Sequence, residues 1–413
     1  MRKITVLFLV VLLALCSALV SCKQDPAAPE KPAEQTDPTD QTEPKATEYR
    51  ITFDSNGGSG TMASLVVKVG EKVLLSRGSF TKGDEQFTGW NTKADNTGDI
   101  YTDEDSFTPE SDLTLYAQWV PANTFAVEEG GVLKKGSGYK GYKLPVHLAF
   151  PKYVGGVEVK SIKDGTSENG EFRLSSVKEI ALPDSMNRLG NYAFVYGNFS
   201  KVILPDALKE INVGAFYCCR RLSDISFPDT LETIGASAFV GCDSIEEIEL
   251  PSSLKSIGST AFSQCHLLES IVIPESVTSI GTYAFSSCER LTEVVIPSSI
   301  TIVPNHLFYC CSNLETVEFK GQITEIGTCG FYSCASLKTL VLTGDVTSIG
   351  ASAFQGCSFL PSLTFTTTTP PTLVNWNAFD KTEFPIYVPA ASVEDYKAAE
   401  NWSTYADRIQ AAP

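Results

Sequence analysis

The chain is poor in histidine, which many metal sites and catalytic sites use. It has three histidines in 413 residues and no Cys-x-x-Cys pair. Cys265 and His266 are adjacent, but His147 and His306 lie far from them in the sequence, so the clustered ligands of a zinc site are missing. No Gly-x-Ser-x-Gly elbow, P-loop or His-Glu-x-x-His motif occurs. We therefore expect no metal, no cofactor and no enzymatic activity.

Positive charge is also scarce. The chain has 32 lysines and arginines against 49 aspartates and glutamates, which gives a formal net charge of -17. An acidic surface repels nucleic-acid phosphates and anionic lipid head groups. Nucleic acid is therefore not an expected partner, and contact with a membrane is expected only through an attached lipid.

Long apolar runs are absent except near the N-terminus. Residues 4–15 are apolar and uncharged and follow Arg2 and Lys3, and residues 19–22 (Leu-Val-Ser-Cys) resemble a lipobox, whose cysteine is diacylated. An ordinary membrane helix is the alternative, but the run is shorter than the ~18 residues of a spanning helix. We expect a lipoprotein signal peptide over residues 1–22 and lipid attachment at Cys22. The protein would then be lipid-anchored in the cell envelope, at the outer surface of a bacterium.

A polar stretch follows the lipobox. Residues 23–47 are almost entirely Pro, Ala, Glu, Asp, Gln, Thr and Lys. Such a composition cannot bury enough apolar surface to offset the entropy of ordering, which predicts a disordered tether.

Residues 48–120 have the pattern of a small β module. Apolar and polar side chains alternate from Tyr49 to Phe53, and Asn56-Gly57-Gly58 supplies the positive-φ residues of a tight turn. The set Phe-x-x-Asn-Gly-Gly, Phe-x-Gly-Trp90 and Leu-Tyr-Ala-x-Trp119 resembles the Listeria–Bacteroides repeat, the internalin B-repeat. The resemblance implies a compact β-grasp-like fold that serves as a spacer or a weak binding unit. We expect both tryptophans to pack in its core rather than to stack on a ligand.

A repeat of 23 residues dominates the rest of the chain. The phenylalanines of seven copies are spaced by 23 residues each: Phe216, Phe239, Phe262, Phe285, Phe308, Phe331 and Phe354. Phe194 precedes them by 22 residues and Phe379 follows by 25. An aliphatic column lies five residues before each Phe, and a glycine follows it in most copies. A period held this strictly indicates a solenoid, in which each rung buries the apolar face of its neighbours.

The residues of one rung predict its local structure. Leu291, Val294 and Ile296 face inwards on a short strand, and Pro297 ends the strand because proline has no donor for a ladder. The aliphatic column before the glycine indicates a second short strand or an extended turn. The glycine is expected to permit a sharp corner, and Ala-Phe-x-x-Cys then forms a loop or one helical turn that places the Phe in the core.

The unit Leu-x-x-Ile-x-Ile-Pro-x-x-Val-x-x-Ile-Gly-x-x-Ala-Phe-x-x-Cys resembles the BspA-type leucine-rich repeat of bacterial surface antigens, from about Leu144 to Phe379. The expected fold is mainly β: a leucine-rich-repeat solenoid of 23-residue rungs preceded by the small β-grasp-like module. We expect an irregular N-terminal cap and first rungs over residues 121–173, the solenoid over residues 174–365, and a C-terminal cap over residues 366–413. Ser392 is a candidate N-cap for a helix in that last segment.

Seven cysteines also occupy one column of the repeat. Stacked side chains at one angular position point the same way, whereas a disulfide needs Cβ atoms ~3.8 Å apart that face each other. We expect a ladder of buried thiols, with the seven members Cys219, Cys242, Cys265, Cys288, Cys311, Cys334 and Cys357. Whether the off-column residues Cys218, Cys310 and Cys329 form disulfides stays open.

Function must lie in the columns that face outwards. Two columns of the first strand do so, and they combine carboxylates with exposed aliphatic side chains, which mark either a contact surface or simple β propensity. The candidate binding face comprises Glu247, Glu249, Val272, Glu293, Val295, Glu318 and Val341. The resemblance implies adhesion to host matrix or cell-surface proteins. A structural spacer without a soluble ligand is the alternative, and a carbohydrate-binding module would need aromatic platforms that these columns lack.

Overall fold

The computed structural model of the chain describes residues 46–139 and 143–413. The predicted signal peptide with Cys22, and the predicted tether up to residue 45, lie outside the described residues. Within the described ranges, no helix has the length and apolar character needed to cross a membrane.

The N-terminal module is built on a mixed five-stranded sheet. Its strand order is Leu65–Lys68, Glu48–Asp54, Leu113–Val120, Gln86–Asn91 and Ile100–Tyr101, with Val73–Leu74 and Ser106–Phe107 paired beside it. The first and last long strands lie parallel at the centre. Trp90 is fully buried against Phe53 and Phe87, with ring centroids 4.9 and 5.0 Å away. The core prediction is confirmed for Trp90, whereas Trp119 is half-buried and donates its indole N–H to the Ser55 carbonyl at 3.0 Å.

Each rung of the solenoid contributes one strand to its front side, where the strands form three successive parallel sheets of four, five and three strands, which together we call the front sheet. Inward and outward residues alternate along these strands, as a strand with one buried face requires. The front strands are His147–Ala149, Glu179–Ala181, Lys201–Ile203, Asp224–Ser226, Glu247–Glu249, Ser270–Val272, Glu293–Ile296, Thr316–Gln322, Thr339–Thr343, Leu363–Thr364, Ile386–Val388 and Ile409–Ala411. Every pair within the front sheet is parallel, for example Glu249, Val272 and Val295 in register on successive strands.

The aliphatic column before the glycine forms two successive four-stranded sheets, which together we call the back sheet. Its two-residue parallel strands are Glu210–Ile211, Thr233–Ile234, Ser256–Ile257, Ser279–Ile280, Ile302–Val303, Glu325–Ile326, Ser348–Ile349 and Thr372–Leu373. The prediction of a second strand in each rung is therefore confirmed.

The core between the two sheets is a continuous stack of phenylalanine rings. Phe262 is fully buried and lies parallel to Phe239 and Phe285, at centroid distances of 5.4 and 5.7 Å and interplanar angles of 3° and 1°. Because the period is constant, each ring meets the same ring of the next rung. The repeat thus places a large apolar surface where only neighbouring rungs can cover it.

The repeated glycine has a different role from the one that the sequence suggested. Gly258 and its equivalents do not adopt positive φ; a Cβ on Gly258 would lie 2.4 Å from the Ala236 nitrogen of the preceding rung. Glycine is required there because the backbones of adjacent rungs approach closely. The left-handed residues of this corner are Thr260 (φ 55°) and Gln264 (φ 61°), placed two residues before and after Phe262. Thr260 is held there by its N–H, which donates to the Thr282 carbonyl of the next rung at 2.8 Å.

Both ends of the solenoid are covered by non-repeating segments. At the N-terminal end, Phe125–Glu128, Val132–Lys135 and Ser161–Ile162 form a three-stranded sheet, accompanied by the 3-10 helix Ser137–Tyr139 and the hairpin Tyr153–Val154 and Val157–Glu158. The region expected to be irregular therefore contains regular strands, but their spacing does not follow the 23-residue period.

The C-terminal end is closed by short helices around an aromatic cluster. They are the α-helix Val393–Ala398 and the 3-10 helices Trp376–Phe379, Ala390–Ser392 and Trp402–Arg408. Trp402 is fully buried against Phe379 and donates its indole N–H to the Pro371 carbonyl at 2.7 Å. Ser392 takes the predicted N-cap position of the α-helix, but its side chain makes no capping hydrogen bond.

The β module packs on the outer face of the first front strands. A Cβ on Gly89 would lie 2.7 Å from the Ala149 Cβ, and the Asn96 amide donates to the His147 carbonyl at 2.6 Å. Lys152 pairs with Glu104 at 2.8 Å, and the Arg77 guanidinium lies 3.7 Å above the Tyr153 ring. Apolar, hydrogen-bonded and ionic contacts therefore all join the module to the solenoid.

One edge of this contact carries three carboxylates. Asp105 of the module lines a hollow that also includes Asp184 and Asp206 of the solenoid. Burial raises the pKa of Asp105 to about 6, and the carboxylates of Asp184 and Asp206 contribute to the rise. Backbone N–H groups of Ser106 and Thr102 donate to Asp105 and partly oppose the shift. Ionisation of Asp105 therefore disfavours the docked position of the module.

We expect Phe262→Ala to lower the free energy of unfolding by about 3–5 kcal/mol, because it removes a fully buried ring from the stack. Val272→Ala is the matched control: its side chain is 72% exposed, so a change of less than about 0.5 kcal/mol is expected. Urea unfolding followed by circular dichroism measures both values. Equal losses in the two variants would contradict the role of the stack.

We expect Asp105→Asn to stabilise the protein at pH 8 but not near pH 4. The folded-state pKa of Asp105 is about 6, above the value of ~3.9 for an unfolded aspartate. As the pH rises from about 4 to about 6, the unfolded chain releases a proton that the folded chain retains, so wild-type stability falls relative to Asp105→Asn. Thermal melting at both pH values measures the difference. Asp84→Asn, at an exposed aspartate of the same module, is the control for the loss of one negative charge.

Candidate binding face

On the strands from Glu247–Glu249 to Thr339–Thr343, the outward columns of the front sheet form an open surface. Val272 is 72% exposed and Val341 is 43% exposed, while Val295 is half-buried. Glu247, Glu249, Glu293 and Glu318 are all exposed beside them. The structure thus brings together on one sheet the seven residues that the sequence singled out, and we call this surface the front face.

The four glutamates of the front face have no ion-pair partner among the described residues. Elsewhere on the solenoid, many carboxylates pair with a cation on another rung. Glu315 pairs with Lys338 at 2.7 Å and Glu275 pairs with Lys320 at 2.9 Å. The two lysines closest in sequence to Glu318 are therefore engaged by other acids, and the front face keeps an uncompensated negative charge.

The outer side of the front sheet is not exposed along its whole length. Ala149 and Ala181, which continue the column of Val272 towards the N-terminus, are almost fully buried, and contacts with the β module surround this region. Ile203, the next member of the column, is 36% exposed and lines a hollow of about 270 Å³ together with Lys201 and Asp224. The open surface therefore begins at the strand Asp224–Ser226.

The cysteine column provides no reactive group. All seven thiols are fully buried, and each donates to the Phe carbonyl of the preceding rung at 3.0–3.3 Å, for example Cys265 to Phe239. Burial raises the pKa of Cys265, Cys311 and Cys357 to about 12, which keeps these thiols protonated and poorly nucleophilic. The prediction of a buried thiol ladder is confirmed.

The remaining cysteines of the described residues are partly exposed. Cys218, Cys310 and Cys329 are free thiols in the structure. Among the residues that the structure describes, no group of three or more His, Cys, Asp or Glu side chains is arranged to hold a metal ion.

A second surface feature was missed by the sequence analysis. Tyr283 and His306 stack at the corner of adjacent rungs, with centroids 4.0 Å apart and planes at 4°, and Tyr309 and Tyr332 stack at 4.9 Å and 10°. Burial lowers the pKa of His306. These residues lie two positions before and one position after the core Phe, so their recurrence in adjacent rungs was the available signal.

A carbohydrate module would need an open aromatic platform on the front face, and none of its seven residues is aromatic.

Comparisons with known proteins agree with the repeat and with the module. The model of the Listeria-Bacteroides repeat domain matches residues 49–118. A putative Gly-rich membrane protein of Evansella cellulosilytica is 33% identical over 76 residues, which cover 17% of this chain and 9% of that protein. The chain thus spans a small part of this curated relative.

Several solved structures are similar in part. A leucine-rich repeat protein from Bacteroides ovatus is 20% identical, with 70% of this chain and 98% of that chain covered at a TM-score of 0.34. A leucine rich cell surface protein from Faecalibacterium prausnitzii is 21% identical, with 70% and 93% covered at a TM-score of 0.37. The leucine rich repeat protein of T. pallidum is 23% identical, with 52% and 86% covered at a TM-score of 0.35.

The model of the BspA type leucine rich repeat region matches residues 166–292 and 257–384, which together make up more than half of the chain. With the constant period, the parallel front sheet and the stacked phenylalanines, this match shows that the chain belongs to the BspA-type leucine-rich repeat family.

Proposed function

We propose that the protein is a lipid-anchored bacterial surface protein that binds protein partners through the front face and has no enzymatic activity of its own. The observation that carries the proposal is the exposure of Val272 and Val341 on a flat sheet among unpaired glutamates. Exposed aliphatic side chains and unpaired carboxylates add nothing to the stability of the fold. A second protein can bury the aliphatic side chains and neutralise the carboxylates.

The predicted lipid on Cys22 and the tether of residues 23–47 would hold this surface at the outside of the cell. The expected partners are proteins of the host matrix or of other cell surfaces, in line with the adhesive role that the family resemblance implies. This role needs no catalytic group, because a repeat protein presents a long surface and binds by many shallow contacts.

A structural spacer is the second candidate. The β module docks on the solenoid through Gly89, Glu104 and Arg77, and both ends of the solenoid are capped, so the described part of the chain is built as a continuous unit. A spacer would self-associate or bind the cell wall and would bind no soluble protein.

Replacing Val272 and Val295 with lysine should abolish binding to those matrix proteins that the wild type binds, because the charges disrupt the apolar centre of the front face. Surface plasmon resonance against a panel of purified matrix proteins measures this effect. The matched control is Ile302→Lys with Ser279→Lys, which places two lysines at exposed positions of the back sheet. The control should bind like the wild type.

Unchanged binding by a folded Val272→Lys/Val295→Lys variant would exclude the front face. If the wild type bound no protein of the panel and formed higher oligomers in sedimentation velocity, the spacer would be the better description.

A further inference from the structure

One column of the front face has a charge pattern that points to the chemistry of its partner. Glu249, Val272, Val295 and Glu318 lie side by side in register on four consecutive strands. The column therefore reads acid, aliphatic, aliphatic, acid along the solenoid axis. Neighbouring strands are ~4.8 Å apart, which places the two glutamates about 14 Å from each other with the valines between them.

The two carboxylates are available to a ligand. Both are exposed, and neither has an ion-pair partner among the described residues. Val272 is not part of the core, because it is 72% exposed while its strand neighbour Ile271 is 3% exposed and fills the inward position; Val295 beside it is half-buried. The column thus presents two negative charges at the ends of a short apolar patch.

The geometry of an extended polypeptide matches this spacing. Side chains on one face of a strand recur every ~6.7 Å, so residues four apart lie about 13–14 Å from each other. A segment of the form Lys-x-Val-x-Lys (or with Arg for Lys) would place its two cations over Glu249 and Glu318. Its central aliphatic side chain would then lie between Val272 and Val295.

We propose that the front face binds a basic, extended segment of a partner protein, with two cationic residues four positions apart and an aliphatic residue between them. This inference rests on the proposed function and names the partner's chemistry. The segment crosses the front strands along the solenoid axis, so it is bound by side chains and not by strand addition. Most of its attraction is ionic between exposed groups, so affinity falls as salt rises.

A synthetic peptide tests the chemistry without a natural partner. The probe contains three Lys-Thr-Val-Thr units followed by a lysine, and the control peptide has the same composition with all lysines at one end. We expect the probe to bind the protein about tenfold tighter than the control peptide, and its affinity to fall between roughly 50 and 300 mM salt. Fluorescence anisotropy measures affinity, and the methyl resonances of Val272 and Val295 report the place of binding.

A pair of matched variants separates the front face from net charge. Glu249→Gln/Glu318→Gln should weaken binding of the probe about five- to tenfold, because it removes both cation partners. Glu210→Gln/Glu325→Gln removes the same charge from exposed glutamates of the back sheet and should leave the affinity unchanged. Equal weakening by both variants, equal binding of the two peptides, or valine methyl resonances that do not move would each overturn the inference.

The outcome is distinguishable from that of the proposed function. If no matrix protein binds but the probe binds at Val272 and Val295, the expected partner class is wrong and the chemistry of the face stands. If matrix proteins bind through these valines and Glu249→Gln/Glu318→Gln binds them as the wild type does, the protein-binding role stands and the present inference is wrong.

Discussion

The contact between identical rungs is the interaction on which the rest of this structure depends. A single rung cannot bury its own phenylalanine; Phe262 is covered because Phe239 and Phe285 lie parallel to it. The same contact buries the cysteine ladder, whose thiols donate to the Phe carbonyls of the preceding rung. It also holds the left-handed residues at the corners through hydrogen bonds from rung to rung. Removing one layer would therefore expose rings, thiols and strained backbone together.

This dependence explains why the two ends differ from the middle. The last rung has no following copy, so Trp402 and Tyr405 cover Phe379 in its place. At the other end, Phe172 continues the stack one rung before Phe194, and Phe125 and Phe150 fill the core beyond it. The β module adds a further cover, because it shields Ala149 and Ala181 on the outer side of the first front strands. Terminal repeats of a solenoid generally need such caps for solubility.

Core packing constrains the inward-facing columns, so only the outward-facing columns are free to vary. Charged side chains are distributed unevenly among these outward columns. Many acids are neutralised across rungs, as Glu315 is by Lys338. Glu249 and Glu318 are not, and they flank the exposed Val272 and the half-buried Val295. Unpaired like charges on one sheet repel each other and do not stabilise the fold. Their arrangement is better explained by complementarity to a basic partner than by the stability of the solenoid.

The sequence by itself determined the repeat, its register and its buried columns, because a constant period of 23 residues places every core residue against its own copy. It also predicted which side chains of the front strands face outwards, since that follows from alternation along a strand. Only the tertiary structure decided the reason for the repeated glycine, which is the close approach of the Ala236 backbone to Gly258. The docking of Gly89 on Ala149 and the raised pKa of Asp105 were likewise beyond the sequence. Each of these depends on distances between segments that no local pattern or period specifies.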